Sequence, residues 1–75
     1  MTVDRIQIDP RVCAGQPVIK GTRIPVAVIM ELLAVGETWE SVLEGYPELN
    51  RQDIAAALHY AGIALERPEF DLVEV

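Results

Sequence analysis

Between Gly15 and Val26 the chain reads Gly15-Gln16-Pro17-Val18-Ile19-Lys20-Gly21-Thr22-Arg23-Ile24-Pro25-Val26, and this segment limits the accessible folds more than any other. Two glycines, two prolines and two basic residues lie between short β-branched runs. Val18-Ile19 and the residue before Pro25 favour extended backbone, whereas Gly21 can take a positive φ that residues with a side chain resist. The segment therefore reads as a turn-rich, semi-extended ribbon that runs directly into a helix and holds Lys20 and Arg23 near its bend. It contains no catalytic constellation. It has the character of a fixed platform presenting two cations.

The flanking sequence supplies elements on both sides. From Arg5 to Asp9 polar and apolar residues alternate, with Ile6 and Ile8 on one side, which predicts a half-buried strand closed by Asp9-Pro10. Val18-Ile19 and Arg23-Ile24 are short enough to be bridges. Pro25 stands where proline suits the first position of a helix, so helix one is expected from about Pro25 to Val35 with Gly36 as its stop. Glu31 is its one charged residue, which makes that helix apolar nearly all round and central. Thr38 is a suitable N-cap for helix two, which carries Trp39, Val42 and Leu43 and ends around Gly45-Tyr46. Asn50 caps helix three, expected from about Arg51 to Glu66 with Asp53 at its third position. Ile54, Leu58, Ala61 and Leu65 are spaced as a core stripe along it. Trp39 and Tyr46 read as core residues before interface anchors. The expected fold is mostly α: three helices behind a short β-ribbon in a single domain over 1–75. The ribbon takes residues 1–24, the helical core 25–67 and a C-terminal tail 68–75.

Seventy-five residues form a small domain with a limited core, and 51% of them are apolar. That surplus predicts association, and a homodimer is expected through the ribbon or helix three. A single cysteine, Cys13, excludes an internal disulfide, and with His59 as the lone histidine no metal site or cofactor is expected. The N-terminal residues lack the basic start and apolar run of a signal peptide, and the stretch Ile24–Met30 is too short to span a bilayer. A cytoplasmic protein without membrane contact is the expectation. The net charge of −6 is uneven. Residues 1–30 hold Arg5, Arg11, Lys20 and Arg23 against Asp4 and Asp9, while residues 31–75 hold Arg51 and Arg67 against ten carboxylates. Such an acidic half argues against strong nucleic-acid binding and for a basic partner surface.

In order, the strand, Asp9-Pro10, Gly15-Gln16-Pro17-Val18-Ile19, Gly21-Thr22-Arg23-Ile24-Pro25-Val26, Tyr46-Pro47-Glu48-Leu49, Asp53-Ile54 and Ala57-Leu58 resemble domain-of-unknown-function family 433 over roughly residues 5 to 65. The resemblance implies a homeodomain-like, helix-turn-helix domain preceded by short strands. It also implies an antitoxin component of a prokaryotic toxin–antitoxin pair, with a PIN-like nuclease toxin as partner. The tail lies outside the resemblance and inherits nothing from it.

Two sets of site residues follow. Lys20 and Arg23 are the partner-binding candidates, with Tyr60 and Ile63 on the outer face of helix three. A PIN-like site is a carboxylate cluster around a divalent metal, and an inserted guanidinium would plug it. Against this, Arg23 can satisfy turn carbonyls or an acid of its own domain. The second set is Arg51, Gln52, Ala56 and His59, which helix three would turn toward a DNA groove in a transcriptional regulator. Few cations and an apolar outer face favour a protein interface there, with nucleic acid bound weakly or only by the complex. No catalytic residue is expected. His59 has no nucleophile beside it, Cys13 has no histidine partner, and Glu40 and Glu44 are neighbours on a solvated helix face.

Overall fold

A computed structural model describes residues 2–3 and 5–65; the expected tail, 68–75, and the expected helical residues Glu66 and Arg67 lie outside them. Three two-residue strands form an antiparallel sheet in the order β1 (Thr2–Val3), β2 (Ile6–Gln7), β3 (Val18–Ile19). Val3 pairs with Ile6, and Ile6 pairs in turn with Ile19. The strand expected over Arg5–Asp9 is thus shorter at both ends. Arg5 takes φ +69, a left-handed conformation that no strand residue adopts, and places β2 antiparallel to a residue pair not foreseen as a strand.

Three helices follow, α1 (Val26–Ala34), α2 (Trp39–Gly45) and α3 (Arg51–Leu65), which makes the protein mostly α. Pro25 is the residue before α1 and not its first: its backbone is extended, and it bridges back to Val18. Gly36, at φ +102, stops α1 by donating to the Leu33 carbonyl while Glu37 donates to that of Leu32. Thr38 caps α2 as expected, its Oγ1 accepting the Ser41 N–H at 3.1 Å. Leu49 N–H then bonds to the Tyr46 carbonyl at 2.9 Å, which closes the turn into α3.

The core gathers side chains from the ribbon and all three helices: Ile6, Ile19 and Ile24 from the ribbon, Val26 and Ile29 from α1, Val42 from α2, and Ile54, Ala56 and Ala57 from α3. Helix α1 is less central than its composition suggests. Only Val26 and Ile29 are buried in it, Met30, Leu32 and Leu33 are half-buried, and Val35 just beyond is 74% exposed. The stripe on α3 also differs. Ile54 is buried and Ala61 half-buried, but Leu58 and Leu65 face solvent, because the buried arc is centred on Asp53, Ile54, Ala56 and Ala57. The buried arc thus includes an aspartate beside its apolar residues. Trp39 and Tyr46 are half-buried against the core. Among the described residues, no helix is long and apolar enough to cross a membrane.

Candidate functional site

The turn that carries Lys20 and Arg23 is held by its own backbone. Thr22 N–H donates to the Ile19 carbonyl at 3.0 Å, and Gly21 between them has φ +84, as the third residue of a type II turn requires. Thr22 Oγ1 donates to the same carbonyl at 2.7 Å and accepts Ile24 N–H at 3.0 Å, so one hydroxyl braces both arms. Ile19 N–H reaches the Ile24 carbonyl at 3.0 Å and Lys20 N–H reaches that of Arg5 at 2.7 Å.

Two further contacts fix this ribbon to its surroundings. Cys13 Sγ donates to the Arg23 carbonyl at 3.4 Å from a turn in which Cys13, Ala14 and Gly15 all have positive φ. Two of those residues carry a Cβ, which makes the left-handed backbone costly and the turn over-determined by its contacts. On the other side, Arg5 Nη1 donates to Asp53 Oδ1 at 3.0 Å, which ties the β1–β2 connection to the start of α3. Asp53 Oδ2 accepts Asn50 N–H at 3.0 Å while Asn50 Oδ1 accepts Asp53 N–H at 2.9 Å, a reciprocal cap.

Lys20 and Arg23 themselves point outward, and both are exposed. Of the five cationic side chains among the described residues, Arg5, Arg11 and Arg51 are in ion pairs, with Asp53, Asp9 and Glu40. Lys20 and Arg23 are the two that are not. Arg23 meets its own domain through its carbonyl, and its guanidinium makes no ion pair among the described residues.

The second set of candidates is not brought together as a reading surface. Arg51, Gln52 and His59 are exposed, but Ala56 is 6% exposed and packs in the core, so it cannot face a groove. Its place in the buried arc follows from Asp53 and Ala57 flanking it there. Arg51 is engaged on two sides: its Nη1 lies 3.2 Å from Glu40 Oε2 and its guanidinium 4.9 Å from the centre of the Trp39 ring. The Glu40 carboxylate is held below its ordinary value by a backbone N–H of its own residue and then by Arg51. Of the outer-face partner candidates, Ile63 is 46% exposed, but Tyr60 is half-buried against the core and does not stand on the open face.

The roles of Arg5 and of the left-handed turn at Cys13 were not foreseen in the sequence. Asp53 at the third helical position was the one signal for the first. For the second the one signal is Gly15, since neither Cys13 nor Ala14 favours positive φ.

Comparison with known proteins gives one family. The model of the family described as "Protein of unknown function (DUF433)" matches residues 6–61. "Uncharacterized protein y4eO" of Sinorhizobium fredii is 38% identical over 52 residues, which are 69% of this chain and 24% of that protein. The chain thus spans about a quarter of the length of that curated relative. The crystal structure of a DUF433 member protein from Anabaena variabilis is similar with a TM-score of 0.79 and 35% identity, covering 95% of this chain and 70% of that one.

Proposed function

The chain belongs to the DUF433 family, and from that premise we propose that it is an antitoxin: a binding protein, not an enzyme, that neutralises a PIN-like ribonuclease toxin by covering its active site. One observation carries the reading. The turn at Lys20–Arg23 is braced through its backbone by Thr22, Arg5 and Cys13, while its two cations remain exposed and outside any ion pair among the described residues. A turn ordered in advance gives up little conformational entropy on binding, and unpaired cations await carboxylates. A guanidinium matches a carboxylate in a bidentate pair, so Arg23 is the plug and Lys20 an accessory charge.

The alternative, a transcriptional regulator acting through α2 and α3, is less well supported. Its best phosphate or base contact, Arg51, already lies against Glu40 and Trp39, and Ala56 is buried. Glu40 lies against Arg51, and Glu37, Glu44 and Glu48 add negative charge in and around α2, which opposes phosphate approach.

The test mixes the purified chain with a purified PIN-like nuclease, first choice being any encoded in an adjacent reading frame of the same genome. A stoichiometric complex that no longer cleaves RNA is expected. A nuclease unaffected by micromolar excess, together with a specific shift of the chain's own promoter at physiological salt, would favour the regulator instead.

A further inference from the structure

The solvent face of α3 supports a second contact, independent of the toxin reading. Ala55, Leu58, Gly62 and Leu65 follow at alternating steps of three and four residues, the spacing that aligns side chains along one seam of a helix. All four are exposed, Leu58 at 39% and Leu65 at 66%. Beyond Arg51 the exposed side of α3 carries no Asp, Glu, Lys or Arg, although the chain has a net charge of −6. Two acidic molecules can meet there without bringing like charges together.

Gly62 indicates what comes to this face. A glycine within a helix costs roughly 0.5–1 kcal/mol relative to alanine. Among the described residues nothing asks for it, because a Cβ at Gly62 would meet none of them within 4 Å. The close approach of a backbone from outside does give a reason for it.

The stripe is also self-complementary. Turned end for end about an axis between Leu58 and His59, it sets Ala55 of one copy against Gly62 of the other, so small residues meet on both sides of the centre. The two Leu58 side chains fill the middle. Arg51 of each copy then approaches the carboxyl-terminal turn of the opposing helix, the negative end of its dipole. We propose that α3 packs antiparallel against α3 of a second copy of this chain, in an isologous two-fold interface through Ala55, Leu58, Gly62 and Leu65. The β-ribbon attaches to the buried side of α3 through Arg5 and Asp53, so this contact leaves the Lys20–Arg23 turn open.

Sedimentation velocity on the full chain tests the interface. A species of twice the 8.3 kDa chain mass is expected at micromolar concentration. Leu58→Glu and Gly62→Leu should each weaken the dimer by roughly thirtyfold or more while the circular dichroism stays helical. Gly62→Leu is the sharper variant, because it removes a helix-weakening glycine and has open space in the single chain. In a Cys13→Ser background, Leu58→Cys should form a disulfide-linked dimer on oxidation and Leu65→Cys should not. A purely monomeric wild type, a dimer unchanged in folded Leu58→Glu or Gly62→Leu, or cross-linking of Leu65→Cys as ready as that of Leu58→Cys would overturn the proposal.

Discussion

Arg5 and Asp53, 48 positions apart in sequence, are joined by a 3.0 Å ion pair that fastens the β1–β2 connection to the first turn of α3. The aspartate side chain is 9% exposed and the arginine 43%. Asp53 has two duties, since its other oxygen caps Asn50. Asp53→Ala should therefore cost about 1–3 kcal/mol, combining a lost cap with a broken, half-exposed pair. Arg5→Ala should cost less, about 1 kcal/mol, because its guanidinium is well solvated and Asn50 still serves the carboxylate. Urea denaturation of both variants checks the ranking. Equal losses would show that the cap contributes nothing beyond the pair.

Gly21 has φ +84, and a Cβ added there would meet nothing within 4 Å, so strain at this position is a matter of backbone and not of crowding. Gly21→Val should destabilise by on the order of 1–3 kcal/mol. Gly21→Asn should cost less, since asparagine tolerates the left-handed region. In a domain of this size each 1 kcal/mol lowers Tm by about 4–8 °C, so a thermal melt resolves both. An unchanged Tm for Gly21→Val would mean that the turn relaxes without cost.

Asp9 and Arg11 form a local clamp. The carboxylate accepts Arg11 Nε at 3.1 Å, Nη2 at 3.0 Å and the backbone N–H at 2.9 Å. The side-chain bonds from Arg11, followed by the backbone bond, hold Asp9 below its ordinary pKa of 3.8. A depressed carboxylate pKa stabilises the fold above the ordinary value, and the contribution disappears as pH falls through the lower folded value. An NMR titration should place the Asp9 midpoint below 3.8, with Arg11→Gln raising it. A midpoint indifferent to Arg11→Gln would contradict the clamp.

Local chemistry in the sequence was enough to place α2 and α3, the Gly36 stop and the positive φ of Gly21, because each depends on neighbours a few residues away. Long-range geometry was not legible there. Arg5 reads as the polar side of a strand until the chain folds Asp53 beneath it, and the buried arc of α3 includes that aspartate. Leu58 and Leu65 are then left in solvent, and Ala56 and Tyr60 are drawn toward the core. Lys20 and Arg23 were recognisable as the cations of a bend, but their bracing by Thr22 Oγ1 and the Arg5 carbonyl belongs to the folded ribbon alone.

The central claim is that Arg23 meets carboxylates of a nuclease partner, and calorimetric titration of the PIN-like nuclease with wild-type chain, Arg23→Ala and Lys20→Ala tests it most directly. Removing one member of a desolvated charge pair costs roughly 2–5 kcal/mol, mostly through faster dissociation. Arg23→Ala, shown to be folded by circular dichroism, should bind about tenfold more weakly or worse and release RNA cleavage to match. Lys20→Ala should lose less, because an ammonium lacks the bidentate geometry. Folded Arg23→Ala that binds and silences the nuclease as wild type does would make the turn structural and contradict the account.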